Sequence, residues 1–278
     1  PPVITPELYY DPFDAETNAD PYPIYRRLLT ECPLYFNPER DLWVLSRFAD
    51  VQSALNDAAT YSSSGGVRVD DLLELAGPSP LTTDPPRHAL MRNIVRPQFA
   101  PRVMRSLESL IAVSVEHLLD RLQGSREFDA AKDFAKLVPV TVICHLLGVP
   151  VEDAPMLKGW ADAMLETVPG SPSATPAAWA ASASIRAYWL AALEARRTAP
   201  AADILTAVST AQVGGEGLSI DEQVGTCNLV FEAGNATTGS LISNALLALA
   251  SFDEQKQWLA TNPDGMLGAI EEFVRWES

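Results

Sequence analysis

Two groups of side chains in this sequence have the types and spacing to do chemistry. The first lies in Phe231-Glu-Ala-Gly-Asn-Ala-Thr-Thr-Gly239, within an apolar, helix-length segment from about Leu218 to Phe252. A carboxylate (Glu232), a carboxamide (Asn235) and a hydroxyl (Thr237) follow one another there beside the small residues Ala233 and Gly234, and such groups can hold water and pass protons. Glycine costs about 1 kcal/mol relative to alanine inside a helix. A hydroxyl that bonds the carbonyl one turn back also tends to bend the rod. The pattern therefore predicts a bend at a site, the plain alternative being a helix–helix contact built on small residues. A carboxylate on an apolar helix is most often paired or turned to solvent. Otherwise Glu232 lines a pocket, where it relays protons or binds a basic or hydroxylated group.

The second group is His88 and Arg92 in Asp84-Pro-Pro-Arg-His-Ala-Leu-Met-Arg92. Asp84 is a suitable helix cap, and the prolines suit a helix start. Four residues apart on one face, the imidazole and guanidinium suit two donors gripping one carboxylate; the alternative is an exposed basic stripe. No other catalytic system is visible. The three histidines, His88, His117 and His145, lack metal-ligand spacing, and there is no Gly-x-Ser-x-Gly elbow, phosphate loop or Gly-x-Gly-x-x-Gly.

The elements that must position these groups are mostly helical, at a 3.6-residue period. The pattern predicts helices near 21–31, 48–57, 87–98, 101–122, 134–147, 151–166, 176–197, 204–211, 218–251, 253–260 and 263–276. Strands are expected at 34–36 and 42–46, with a short third one at 127–129. Two long irregular stretches, 61–83 and 168–175, interrupt the helices; such loops in a compact domain are usually functional or disordered.

Together these segments resemble the cytochrome P-450 superfamily of haem-thiolate monooxygenases. Ala233, Gly234, Thr237 and Thr238 match its Ala/Gly-Gly-x-Asp/Glu-Thr-Thr motif, and Asp84-Pro-Pro86 with His88 and Arg92 is similar to its Asp-Pro-Pro-x-His-x-x-x-Arg segment. Glu272-Phe-Val-Arg275 is similar to its Glu-x-x-Arg helix. Trp43-Val-Leu-Ser-Arg47, Phe48 to Leu55 and Tyr61 to Ser64 resemble its first strand, second helix and the Phe/Tyr-Ser-Ser that follows. The resemblance implies a mainly α fold with a small N-terminal β-sheet and a long central helix, a single haem-monooxygenase domain over 1–278 that is incomplete at its C-terminus, and a haem b iron cofactor. It implies that Ala233, Gly234 and Thr237 lie against the haem, that His88 and Arg92 hold its propionates, and that Glu272 and Arg275 form a buried ion pair. Leu229, Glu232 and Ala233 would face substrate, within a pocket completed by 64–81 and 166–179. Thr237, with Glu232 and Asn235, would serve proton delivery.

The implied reaction inserts one atom of O2 into a small or medium organic substrate, with electrons from NAD(P)H through a ferredoxin-like donor and its reductase. The family's iron-ligating cysteine sits in a Phe-x-x-Gly-x-x-x-Cys-x-Gly loop, expected downstream of Ser278, so no metal ligand is expected within this chain. One position departs from the motif: its acid is Ala236 here. Three accounts stay open: Asn235 holds water in its place, Glu232 supplies the carboxylate, or the substrate completes the network. A different class of reading is a non-catalytic helical ligand-binding or scaffold protein of the same fold.

Composition adds bounds. At 278 residues and 47% hydrophobic, the chain can bury a large core. No apolar run approaches the ~18 residues of a membrane span. Cys32, Cys144 and Cys227 lack paired spacing and read as small buried hydrophobes, which suits a reducing cytoplasm. A net charge of -16 argues against nucleic acid or an anionic membrane as partner. Against that acidic background, Arg87, Arg92, Arg96, Arg102 and Arg105 fall within nineteen residues. They form either a docking patch for an acidic electron carrier or a solvated helix face.

Overall fold

The computed structural model describes residues 8–66, 73–166, 173–213 and 215–276. The chain divides into two compact units, Pro1–Asp71 and Leu72–Ser278. The first contains α1 (Ala15–Ala19), α2 (Tyr22–Glu31), the hairpin β1 (Leu34–Asn37) and β2 (Leu42–Leu45), and α3 (Phe48–Asn56). The strand sequences Leu-Tyr-Phe-Asn and Leu-Trp-Val-Leu are rich in aromatic and aliphatic side chains that suit a pleated surface. They pair antiparallel, with Tyr35 opposite Val44 and Phe36 opposite Trp43. The buried Asn37 organises the turn: its side-chain oxygen accepts from the Glu39 and Arg40 N–H groups, and its Nδ2 donates to the Tyr10 carbonyl at 2.8 Å.

The second unit holds α4 (Leu73–Ala76), α5 (Arg87–Val95), α6 (Pro101–Leu122), α7 (Leu137–Leu147), α8 (Ala154–Met164), α9 (Pro176–Thr198) and α10 (Ile204–Thr210). The short strands β3 (Gln212–Val213) and β4 (Glu216–Gly217) follow, then α11 (Ile220–Ser251), α12 (Asp253–Thr261) and α13 (Met266–Trp276). The fold is therefore mainly α, as the periodicity predicts. The third strand expected at 127–129 is instead a loop: the Asp129 carboxylate accepts from the Ala131 and Lys132 N–H groups at 3.0 and 2.9 Å and starts a helical turn. The β3–β4 hairpin is not anticipated by the sequence pattern. Where the periodicity runs one helix through 87–98 and another through 263–276, 3-10 turns at Arg96–Phe99 and Pro263–Gly265 intervene. Each begins at or beside a proline, which lacks the N–H that an α-helix interior requires.

The central element is α11, 32 residues long and so roughly 48 Å. It starts at a capping box in which Ser219 Oγ accepts from the Glu222 N–H and the Glu222 carboxylate accepts from the Ser219 N–H. This satisfies two of the donors left over at a helix start. The helix passes through Gly234 without interruption, and the expected local bonding is present: Thr237 Oγ donates to the Ala233 carbonyl at 2.8 Å. Its first half is buried from Gln223 to Asn228 and again at Val230 and Phe231. Phe231 lies 6.2 Å, centroid to centroid, from the fully buried Trp189 of α9, and Ile143, Leu147 and Leu157 complete this part of the core.

Candidate functional site

The second half of α11 opens along one face. Ala233, Ala236, Thr237 and Thr238 are exposed, as residues three and four apart on a helix share a side. Ala236, Thr237, Thr238, Leu241 and Asn244 line a cleft of about 480 Å³ that Phe273 and Val274 of α13 flank. Gly234 does not belong to that opening. A Cβ there would lie 2.5 Å from Cδ1 of Ile143, so the glycine serves the close approach of α7. Ala233 supplies the small side chain next to Thr237.

Glu232 and Asn235 point to a different place. With Lys136, Lys158, Asp162, Ala236 and Ser240 they line a cavity of about 280 Å³ bounded by α7, α8 and α11. Asn228 Nδ2 donates to Glu232 Oε1 at 3.1 Å, a one-turn pair that its spacing permits. Both amide atoms of Asn235 are buried without a protein hydrogen-bond partner. Lys158 Nζ bridges both Asp162 oxygens at 2.7 Å, and that pair is exposed. Sequence reasoning missed Asn228, Lys158, Asp162 and Ser240. The Asn228–Glu232 and Ala236–Ser240 spacings of four were available signals, whereas nothing local announces that α8 faces α11. Leu229, the other expected substrate contact, is half-buried on α11.

His88 is held by a 2.7 Å hydrogen bond between Nδ1 and the Pro80 carbonyl. Because a carbonyl only accepts, the proton is on Nδ1 and Nε2 points elsewhere. Arg92, one turn on, is exposed. Arg87 does not contribute to a free basic patch: its guanidinium forks onto Glu222 of α11 at 2.7 and 2.6 Å. That hydrogen bonding holds the Glu222 carboxyl below its usual range, against the opposing effect of burial. A depressed folded-state pKa gives stability that is present above the ordinary carboxylate value, about 4.3, and is lost as pH falls through the lower folded value. Glu222→Gln is thus expected to flatten the acid limb of the stability–pH curve below pH ~5, measured by denaturant unfolding across pH. Of the other patch residues, Arg96, Arg102 and Arg105 remain exposed.

Cys32, Cys144 and Cys227 are all buried; burial pushes Cys144 up to about 11 and raises Cys227 as well. Glu272 and Arg275 do pair, with 2.7 Å bonds from Arg275 Nε and Nη2. Among the described residues nothing covers that face of α13, and the two side chains are 54% and 67% exposed. The expected roof segments at 64–81 and 166–179 fall partly on 67–72 and 167–172, which lie outside the described residues.

No family model matches the chain. Cytochrome P450 130 of Mycobacterium tuberculosis is 33% identical over 282 residues, covering 95% of this chain and 68% of that protein. Vitamin D(3) 25-hydroxylase of Pseudonocardia autotrophica is 32% identical over 276 residues, covering 97% and 67%. The crystal structure of CYP109E1 from Bacillus megaterium in complex with testosterone superposes with a TM-score of 0.83 at 28% identity, covering 95% of this chain and 69% of that one. Among the described residues no helix is long and apolar enough to cross a membrane. With the motif order, the helical fold and these relatives in agreement, the chain belongs to the cytochrome P-450 family of haem-dependent monooxygenases.

Proposed function

We propose that the protein hydroxylates an apolar organic substrate, R–H + O2 + 2 electrons + 2 protons giving R–OH + H2O, with α11 forming the oxygen-binding wall. The supporting observation is the exposed row Ala233, Ala236 and Thr237, where a hydroxyl is oriented by its bond to the Ala233 carbonyl. The residues present fit a haem b. The open face carries no side chain larger than threonine at these positions, the imidazolium form of His88 would donate from Nε2 to a propionate while Nδ1 keeps the Pro80 carbonyl, and Arg92 presents a second donor one turn away. When bound, the haem iron supplies activation of dioxygen. Its thiolate ligand would come from the motif expected downstream of Ser278.

The chain's own residues then have separate tasks. Ala233 leaves space for a diatomic molecule, Leu229 and Ala233 contact substrate, and Thr237 accepts and donates protons at its Oγ. Glu232 faces the α7–α8 side, which supports its proton role over a substrate contact. An extended alicyclic substrate is consistent with the names of two of the proteins it resembles, a vitamin D(3) 25-hydroxylase and a protein bound to testosterone. Electrons would come from NAD(P)H in the cytoplasm through a ferredoxin-like carrier docking near Arg96, Arg102 and Arg105.

The test is a titration of the full-length, haem-loaded protein with a panel of sterols, steroids and smaller apolar compounds. At least one is expected to shift the haem spin state and to be hydroxylated. In Thr237→Ala, product formed per NAD(P)H consumed should fall by about tenfold, less than the roughly 100-fold or more a positioned proton donor contributes, since water can take the place of the lost hydroxyl. Failure to take up haem, or substrate binding without product from any member of the panel, would favour the non-catalytic binding protein instead.

A further inference from the structure

The two cavities along α11 have two lining residues in common, Ala236 and Ser240. On one side lie Glu232, Asn235, Lys136, Lys158 and Asp162; on the other lie Thr237 and Thr238. Ala236 and Ser240 therefore line both spaces, between the titratable groups and the threonine. The position whose side chain would fill that wall in the family motif is the alanine.

Two further observations say what the smaller cavity takes. Asn235 buries an amide oxygen and an amide nitrogen with no protein partner. Buried polar atoms are almost always satisfied, by water where protein does not reach them. At about 280 Å³ the space is many times that of one water, and although Val140, Leu165 and Phe231 make much of its lining apolar, Glu232, Asn235 and Ser240 offer polar partners of the kind a water needs. The lining carries two lysines and two carboxylates, so it is balanced in charge and suits neither a lone anion nor a lone cation. Its edge at the exposed Lys158–Asp162 pair reaches solvent.

We infer that this cavity is a water-filled proton-loading chamber that feeds Thr237 through the gap left at Ala236, with Glu232 holding the proton and Ser240 positioning the last water. The inference rests on the proposed hydroxylation and supplies its protons. The transfer balances without electrons. The Glu232 carboxyl releases one proton to a water held by Asn235. Each water and the Ser240 hydroxyl accept one proton and release one, and the Glu232 carboxylate then recovers a proton from solvent at the Lys158–Asp162 mouth. Two passages supply the two protons of one turnover.

The experiment pairs crystal structures with coupling measurements on the full-length, haem-loaded protein, Ala236→Leu and Ser240→Val. Ser240 is exposed, so its variant tests the idea even if the leucine disturbs folding. Expected is a file of ordered waters from Glu232 past Asn235 to Ser240 in the parent, broken at residue 236 in Ala236→Leu. Peroxide released per NAD(P)H should rise about fivefold or more in both variants, with the substrate concentration for half spin-state shift within about twofold of the parent in Ser240→Val. A dry cavity in the parent overturns the chamber, and so does unchanged coupling in a folded Ser240→Val. A parent that forms no product overturns the hydroxylation itself, while the water file remains readable and judges the chamber separately.

Discussion

Replacing Asp203 with alanine should destabilise the helical unit by about 3–5 kcal/mol, the range for stripping one partner from a buried charge pair. Asp203 is 5% exposed and joins three helices. One oxygen caps α10 by accepting from the Thr206 N–H at 2.8 Å, and the other accepts from Arg196 Nε of α9 at 2.5 Å. The same guanidinium donates from Nη2 to the carbonyl of Gly148, which ends α7 with φ 88°. Alanine would remove the cap, worth about 1 kcal/mol, and leave Arg196 partly buried with only a carbonyl to bond. A fall in melting temperature on the order of 10 °C follows for a unit of this size. Asp203→Asn retains the cap without the charge and should lie between the two. Denaturant unfolding of all three proteins checks this; a loss in Asp203→Ala no larger than the ~1 kcal/mol of the cap alone would refute the pairing argument.

The other large effect concerns the missing acid. Glu232→Gln keeps the shape of the side chain and its capacity to accept from Asn228 but cannot carry a proton, so product per NAD(P)H should fall about tenfold or more. Substrate affinity should change little, since Glu232 opens toward α7 and α8. Ala236→Asp, which restores the family residue, should gain little or do harm. Its carboxylate would be a third in a lining where Lys136 and Lys158 already match Glu232 and Asp162, and an unmatched charge with reduced hydration opposes ionisation. Product and peroxide yields for the two variants decide the matter. Unchanged coupling in Glu232→Gln, or a several-fold gain in Ala236→Asp, would assign the relay to the standard position and not to Glu232.

What the sequence makes legible follows from how local each signal is. The bounds of α6 are read correctly because Pro101 opens it and an amphipathic period carries it to Leu122. Helix α11 is legible from its apolar, helix-length run, and the Ser219–Glu222 box that the structure shows at its start is a local signal that sequence reasoning missed. Thr237 and its bond to the carbonyl one turn back are equally local. Gly234 is misplaced for the opposite reason: its lack of a side chain is required by Ile143, 91 residues earlier in the chain, and no window around the motif contains that contact. The second cavity is hidden likewise, since its walls come from α7, α8 and α11. Glu272 and Arg275 have the right spacing to pair, but spacing carries no information on what covers them.

The clamp of Arg87 on Glu222 has a consequence for precision. Glu222 caps α11 and grips α5 with the same carboxylate, so the helix bearing His88 and Arg92 is referenced to the origin of the helix bearing Thr237. From that origin Thr237 lies fifteen residues along one unbroken rod, roughly 22 Å. The two donors and the hydroxyl are then referenced to one another by that clamp and one continuous helix, backed by the packing of α5 on α10 and of α10 on α11. The clamp thus links the two sites across the long intervening segment from 95 to 219, whose α10 is itself packed against both helices.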